Sequence, residues 1–404
     1  MIPERLRNIL AGLRKETWVQ SLLQKGEVFV VGGTVRDAYR DEDIKDIDMV
    51  VEGPNIAQIK DILKYFGRVE EVGESFAVLK FRPKDHEGED FDIAVPRVDT
   101  KIGDGHKGFE VQTDGVILED DLNRRDFTIN SIAVNVSNDD LVDPFDGVLD
   151  IELGVIRATD VNAFAEDPLR ILRGIQFASR FIYYIDEETM DLMKKHAPEI
   201  KDISGERIFD EFMKVINKYG DTQMAMDLLH ETGVDEALFG KKMLHYEEGM
   251  GHLDPISFFW ILGILADIDP AEFVKKRLKG DNKLVKNIKT LDQMFEMLPR
   301  IIEEEDLLFM LSKAFTKAPD IMDAVIIPDE VDDIVLKMRL QKIPRGMIDV
   351  SINGDDIISM TDNKLPGEEI GFFLETILRD ALMNRFEWRD REKSLVYLQN
   401  LLYK

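Results

Sequence analysis

Two aspartates, Asp46 and Asp48, stand two residues apart in Ile44-Lys45-Asp46-Ile47-Asp48-Met49-Val50-Val51, a run whose apolar pattern predicts a strand. Side chains two apart on a strand share a face, so both carboxylates project together while Ile47 and Met49 turn away. Like charges that close are costly unless a cation lies between them. Hard oxygen donors suit a divalent ion, and Mg²⁺ characteristically takes one or two carboxylates together with phosphate oxygens of a substrate. Just upstream, Phe29-Val30-Val31-Gly32-Gly33-Thr34-Val35-Arg36-Asp37 reads as strand, tight turn and helix start. The N–H groups at a helix start attract an anion, Gly32 and Gly33 let a phosphate approach without a Cβ in the way, and Arg36 in the first turn can grip it. Alone, a Gly-Gly turn is an ordinary turn and two strand-end aspartates are ordinary solvated surface. Together they point to metal-assisted chemistry on a phosphate.

Several elements must hold these groups. Leu6, Ile9, Leu10 and Leu13 have helical spacing within the first 26 residues, and Ile56, Ile59, Ile62 and Leu63 make a second amphipathic helix over residues 55–66. Residues 76–81 and 91–95 read as a hairpin around the charged loop 84–90, and residues 132–136 as a further strand. In residues 91–95, Asp92 sits between Phe91 and Ile93, an awkward place for an unpaired charge unless the strand is an exposed edge. Arg124 and Arg125 open into an apolar segment and call for an anion partner. Asp167, Arg170 and Arg173 recur at three-residue intervals in Ala165-Glu166-Asp167-Pro168-Leu169-Arg170-Ile171-Leu172-Arg173, which on a helix sets them along one face. A salt-bridged surface ridge is the plain alternative there.

Gly-Gly-x-Val-Arg-Asp, then Asp-x-Asp, then Arg124-Arg125-Asp126 and Glu166-Asp167-Pro168-Leu169-Arg170 resemble the motifs of the polymerase-beta-like nucleotidyltransferases, specifically the class II CCA-adding tRNA nucleotidyltransferases and bacterial poly(A) polymerases. The resemblance implies an α+β head with a mixed sheet over residues 1–160, then an all-α neck (161–239), body (240–340) and tail (341–404). It implies that Asp46 and Asp48 hold Mg²⁺, and that Asp92 is a third carboxylate, as ligand or as base. It further implies that Gly32, Gly33, Arg36, Arg125 and Arg173 meet the triphosphate, that Asp126 and Asn130 brace the motif or touch the ribose, and that Asp167 and Arg170 read the edge of the incoming base. A carboxylate accepting from an exocyclic amine and a guanidinium donating to ring nitrogen or carbonyl suit cytosine and adenine. Gln176 departs from the pattern, since relatives often carry arginine there, and this leaves one expected triphosphate contact open. The glycine-rich loop 97–109 is read as an element that helps the site change nucleotide, or else as a plain surface loop.

The implied reaction is template-independent addition of CMP and AMP, from CTP and ATP, to the 3′ end of tRNA. The siblings are CC-adding, A-adding and poly(A)-adding enzymes; a noncatalytic tRNA-binding protein and a nucleotidyltransferase acting on a small molecule are the rivals.

The 404 residues carry a net charge of −28, which argues against nonspecific nucleic-acid binding, because phosphate-backbone affinity comes from lysine and arginine. One basic stretch stands apart, with Lys275, Lys276, Arg277, Lys279, Lys283, Lys286 and Lys289 interleaved with apolar residues. It and the tail residues Arg385, Arg389, Arg391 and Lys393 are the available backbone track; a solvated lysine-rich helix is the ordinary alternative. With no cysteine, the chain has neither disulfides nor thiolate chemistry. The apolar run at 258–265 is too short to span a bilayer and the N-terminus lacks a signal-peptide core, so a soluble cytoplasmic protein is expected. A monomer and a homodimer both remain open.

Overall fold

Leucines at helical spacing form helix α1 (Glu4–Leu13), which buries Leu6, Leu10 and Leu13, and α2 (Thr17–Leu23) follows with Trp18, Val19 and Leu22 buried. They begin the first of two units, Met1–Lys242 and Met243–Lys404, into which the chain divides. The computed structural model describes residues 2–44, 46–72, 78–84, 90–101, 109–245, 252–297, 304–324, 338 and 342–403. The glycine-rich segment 102–108 and the acidic run 329–333 lie outside the described residues.

The first unit is built on a seven-stranded mixed sheet. Its strands are β1 (Glu27–Val31), β2 (Ile47–Glu52), β3 (Gly67–Val72), β4 (Val78–Pro83), β5 (Phe91–Ala94), β8 (Ala133–Asn135) and β9 (Leu141–Val142), in the order β3-β4-β5-β2-β1-β8-β9. A separate hairpin, β6 (Val98–Lys101) with β7 (Phe109–Gln112), occupies much of what the sequence reads as loop. β1 runs antiparallel to β2 and β8, whereas β2 and β5 are parallel, with Asp48 opposite Asp92. β3 is not anticipated by the sequence pattern: four of its six residues are exposed and three are charged, so this edge strand offers no apolar alternation to read.

Alternation along the strands sends Phe29, Val31, Val50 and Ala94 to one face, where they pack with Leu118 and Leu122 of α5 (Leu118–Asn123). Asp48 and Asp92, two residues before Val50 and Ala94, emerge on that same face at the strand ends. On the opposite face Phe81 and Phe91 each lie 5.0 Å from the ring of Trp18. Helix α3 (Gly33–Tyr39) leaves β1 through the Gly-Gly turn, and α4 (Ile56–Leu63) starts at an Asn55–Gln58 capping box.

Beyond the sheet the unit is mostly helical, with α6 (Gly147–Leu153), α7 (Val161–Glu166), α8 (Leu169–Phe181), α9 (Glu187–His196), α10 (Gly205–Asn217), α11 (Thr222–Thr232) and α12 (Val234–Phe239). A short parallel pair, Val155–Ile156 with Tyr184–Ile185, nevertheless places one strand in the neck expected to be all-α. The single helix expected through residues 165–176 is two. Pro168 disfavours helical backbone at Asp167, which is extended at φ −127° and ψ 99°, so α7 stops at Glu166 and α8 restarts at Leu169.

The second unit consists of helices among the described residues, notably Pro255–Leu265, Asn282–Met297, Glu304–Lys317, Gly354–Met360, Gly367–Leu382 and Arg391–Leu402. Asn353-Gly354 and Pro366-Gly367 are helix starts, Asn353 capping the N–H groups of Asp355 and Asp356. Ile352, Ile357, Ile377, Ala381, Trp388 and Leu398 form the core of the last three helices. Among the described residues no helix is long and apolar enough to cross a membrane.

Because Trp18 is 1% exposed and wedged between two aromatic rings, Trp18→Ala is expected to cost about 3–5 kcal/mol of unfolding free energy in urea titrations, and a loss below about 1 kcal/mol would contradict the packing described.

Candidate active site

Gly32 has φ +61°, and a Cβ there would stand 2.5 Å from Nη1 of Arg125, so both the turn and the arginine's seat require glycine. A Cβ on Gly33 would lie 3.7 Å from Oδ2 of Asp48, which sets the start of α3 directly against that carboxylate. Thr34, the next residue, is 2% exposed; its hydroxyl donates to the Asp46 carbonyl (3.1 Å) and accepts from the Asp48 N–H (3.0 Å). No role for Thr34 was legible beforehand, because only the fold brings it to β2.

The strand read over 44–51 begins at Ile47, so Asp46 lies one residue ahead of β2 and is exposed, while Asp48 is half-buried. Burial pushes the Asp48 carboxyl up to about 6; Arg125 and Arg36 oppose the rise, and Asp92 and Asp46 add to it. Asp92 is raised as well, by burial, against Lys80 and with help from Asp46 and Asp90. Its Oδ1 is buried without a hydrogen-bond partner, the Lys80 ammonium being 3.7 Å away. Mutually repelling carboxylates with an orphaned oxygen fit a hard divalent cation. Among the described residues no three acidic or histidine side chains are close enough to form a complete metal cage by themselves. A cation held here therefore needs further oxygens from substrate or water.

At Asp48 opens a cavity of about 590 Å³, walled also by Gly33, Asp126, Asp167 and Asn130 and by seven arginines, Arg36, Arg97, Arg124, Arg125, Arg170, Arg173 and Arg207, whereas Asp46, Asp92 and Gly32 are not part of its wall. Seven arginines against three aspartates give the wall a formal charge of +4 in a chain of net charge −28. Such a concavity concentrates anions.

Buried acids hold the arginines in place. Glu52, at the end of β2, accepts the Leu118 N–H at 2.7 Å and fixes the start of α5. One turn on, Asp121 receives Arg124 at 2.6 Å and Arg125 at 3.0 Å; burial would raise its pKa, but Arg125 and Arg124 hold it below the ordinary carboxylate range. The anion partner that the paired arginines call for is thus three and four residues upstream, in α5, which ends just before them at Asn123. Asp126 accepts from Asn130 (2.9 Å) and Arg173 (2.7 Å), and although burial opposes its ionisation, Arg173, Asn130 and Arg170 hold it at about 2. Asp126 and Asn130 thus bond within the motif, and both also line the cavity.

Arg36 lines the cavity but is 7% exposed, donates to Asn130 (2.5 Å) and pairs with Asp37 (2.7 Å), so its guanidinium is already engaged. Arg170 donates to the Arg124 carbonyl at 2.5 Å, and burial lowers its pKa. Asp167 accepts the Leu169 N–H at 3.1 Å and Arg207 at 2.8 Å. It shares no continuous helix with Arg170 and Arg173, yet all three face the one cavity. Sequence reasoning missed Arg207 and Arg97, which come from α10 and from the segment after β5 without any local motif. Gln176 is 1% exposed, lies outside the cavity wall, and directs its amide oxygen to Arg180.

The expected backbone track lies in the second unit. Lys275, Lys276, Lys283 and Lys286 are exposed; Lys276 pairs with Glu272, Lys283 with Asp320 (2.7 Å), and Arg277 is half-buried. In the tail Arg385 pairs with Glu305 (2.6 Å) and Asp380 (2.7 Å), Arg391 with Asp356 and Lys393 with Glu387, while Arg389 stacks on Trp388.

Residues 28–157 match the family described as the Poly A polymerase head domain, and residues 183–246 the probable RNA- and SrmB-binding site of polymerase A. The chain is 41% identical over 196 residues to a multifunctional CCA protein of Stenotrophomonas maltophilia, covering 47% of this chain and 46% of that protein. It spans about half the length of the curated relatives it matches. It is similar to the Thermotoga maritima CCA-adding enzyme complexed with tRNA (24% identity, TM-score 0.69, 99% of this chain and 96% of that one), which shows the shared fold. It is likewise similar to a CCA-adding enzyme in complex with ATP (25% identity, TM-score 0.69, 100% and 95%).

The raised Asp48 gives a signed prediction. A carboxyl whose folded pKa is about 6 costs nothing below the unfolded value near 4, and destabilises the fold increasingly as pH rises from about 4 to 6. In the absence of divalent cations, Asp48→Asn should therefore be more stable than the parent at pH 7.5, by on the order of 1–3 kcal/mol, and equal to it near pH 4. Urea unfolding at the two pH values checks this; a less stable variant at pH 7.5 would contradict it.

Proposed function

We propose that the chain is a member of the family of CCA-adding tRNA nucleotidyltransferases and bacterial poly(A) polymerases and that it adds CMP and AMP, from CTP and ATP, to the 3′ end of tRNA in the cytoplasm. One observation carries the reading: the carboxylate of Asp48, the arginine pair and the Asp167–Arg170 base-reading candidates all line a single cationic cavity.

The primer's 3′ hydroxyl attacks the α-phosphorus, and pyrophosphate leaves. Asp46 and Asp48 would hold Mg²⁺, and Asp92, whose Oδ1 is buried without a hydrogen bond, is the third carboxylate, as a ligand or as the base that takes the hydroxyl proton. Bound there, Mg²⁺ would supply charge neutralisation for the attacking and leaving oxygens. Gly33 leaves room for the phosphates beside Asp48. Arg125, fixed by Asp121 and seated on Gly32, offers a preorganised guanidinium to the triphosphate, and Arg173, held by Asp126, lies further along the wall. Arg36 acts mainly through Asn130, anchoring the turn that the phosphates approach. Asp167 and Arg170 select the base by its hydrogen-bond pattern, with the protein in place of a template. The tRNA itself would use the basic stretch Lys275, Lys276, Arg277, Lys283 and Lys286 and the tail arginines Arg385 and Arg389, of which Lys276, Lys283 and Arg385 must exchange acidic partners for phosphates.

Extension of tRNA transcripts ending before CCA, after C and after CC, with CTP, ATP or both, tests this. Addition of CCA followed by a stop is expected, and Asp46→Ala should reduce it by about a thousandfold or more, the scale of losing a metal ligand. Addition of only CC, only A or a long A tract would assign the chain to a sibling activity. No incorporation with Mg²⁺ present, or full activity in Asp46→Ala, would overturn the reading.

A further inference from the structure

We infer that Thr34 is a positioning residue for the carboxylates, an assignment that rests on the function proposed above. The ladder between β1 and β2 ends at Val30 opposite Met49, because the chain leaves β1 through Gly32 and Gly33. A regular ladder would continue with a backbone group of the next residue on β1 to partner the start of β2. The hydroxyl of Thr34 supplies the missing rung. It accepts the Asp48 N–H at 3.0 Å and donates to the Asp46 carbonyl at 3.1 Å, from a side chain 2% exposed.

One hydroxyl thus closes two backbone groups flanking Ile47 and ties both aspartates to the first turn of α3. That connection sets the spacing between the carboxylates and the Gly33 turn, where a Cβ would already approach Asp48 to 3.7 Å. Asp46 depends on it most, since it lies ahead of β2 and outside every strand register. Loss of the hydroxyl leaves a part-buried N–H and a carbonyl unmatched, and the segment must shift to regain partners. Thr34 touches no reacting atom in this scheme; it acts through the placement of Asp46 and Asp48.

The test compares Thr34→Val, which keeps the shape and removes the hydroxyl, with Thr34→Ser, which keeps the hydroxyl. In Thr34→Val, kcat for CMP addition should fall by about tenfold or more while KM for CTP stays within about twofold, the pattern of an interaction lost in the transition state. Mn²⁺ titration of the nucleotide-free protein, followed by electron paramagnetic resonance, should show binding weaker by about tenfold or more in Thr34→Val and parental binding in Thr34→Ser, in keeping with the loss caused by removing outer-shell support. Parental Mn²⁺ binding in a folded Thr34→Val variant, or equal impairment in Thr34→Ser, would overturn the assignment. Amide hydrogen exchange on the unaltered chain covers the case in which Thr34→Val fails to fold: the Asp48 amide should be protected as strongly as that of Met49, and rapid exchange would count against the rung. If the parent transfers no nucleotide at all, the functional reading falls, while the Mn²⁺ and exchange results still decide the role of Thr34.

Discussion

Two aspartates in register on parallel neighbouring strands are an electrostatic burden on the sheet, and the rest of the head is arranged around it. Asp48 faces Asp92 across β2 and β5, with Asp46 close enough to raise both. A sheet end could relieve such repulsion by splaying. Here it cannot, because Phe91 and Met49, the neighbours that alternate to the opposite face, are buried, with Phe91 against Trp18. The packing of one face thereby enforces the crowding of charge on the other.

The arginine wall answers that crowding from above. Helix α5 packs on the same sheet face as the carboxylates, and its register delivers Arg124 and Arg125 over them. A cluster of guanidiniums would repel itself apart without interleaved anions, and Asp121 and Asp126, both nearly inaccessible, supply these. Each is held well ionised by the arginines it orients. The result is a rigid cationic cavity inside a strongly acidic protein. Acidity elsewhere suppresses indiscriminate binding of polyanions, and the local sign reversal favours an anion that fits.

The head was the most legible part. The Gly-Gly turn, the Asp46/Asp48 spacing, the arginine pair and the Asp167, Arg170, Arg173 series each came from residue type and spacing, and members of all four groups meet in one cavity. What escaped depends on tertiary placement. Thr34 is one residue of a recognisable motif, yet its partners are on another element. Arg207 reaches Asp167 across 40 positions. The strand β3 was invisible because charged side chains cover an edge, and the pairing of residues 98–101 with 109–112 was hidden in a glycine-rich, polar stretch. The break before α8 was readable from Pro168, but helical spacing across it outweighed the proline in the reading. Arg36 lines the cavity, and its contacts to Asn130 and Asp37 are further tertiary details that the spacing does not show.

The central claim is that the paired carboxylates and the arginine wall form one nucleotide site. A crystal structure with Mn²⁺ and a nonhydrolysable CTP analogue, using anomalous scattering to locate the metal, tests it most directly. The account predicts manganese on Asp46 and Asp48, the triphosphate against Gly33 and Arg125, and the cytosine edge at Asp167 and Arg170. Manganese elsewhere, or a triphosphate bound outside the cavity, would contradict it.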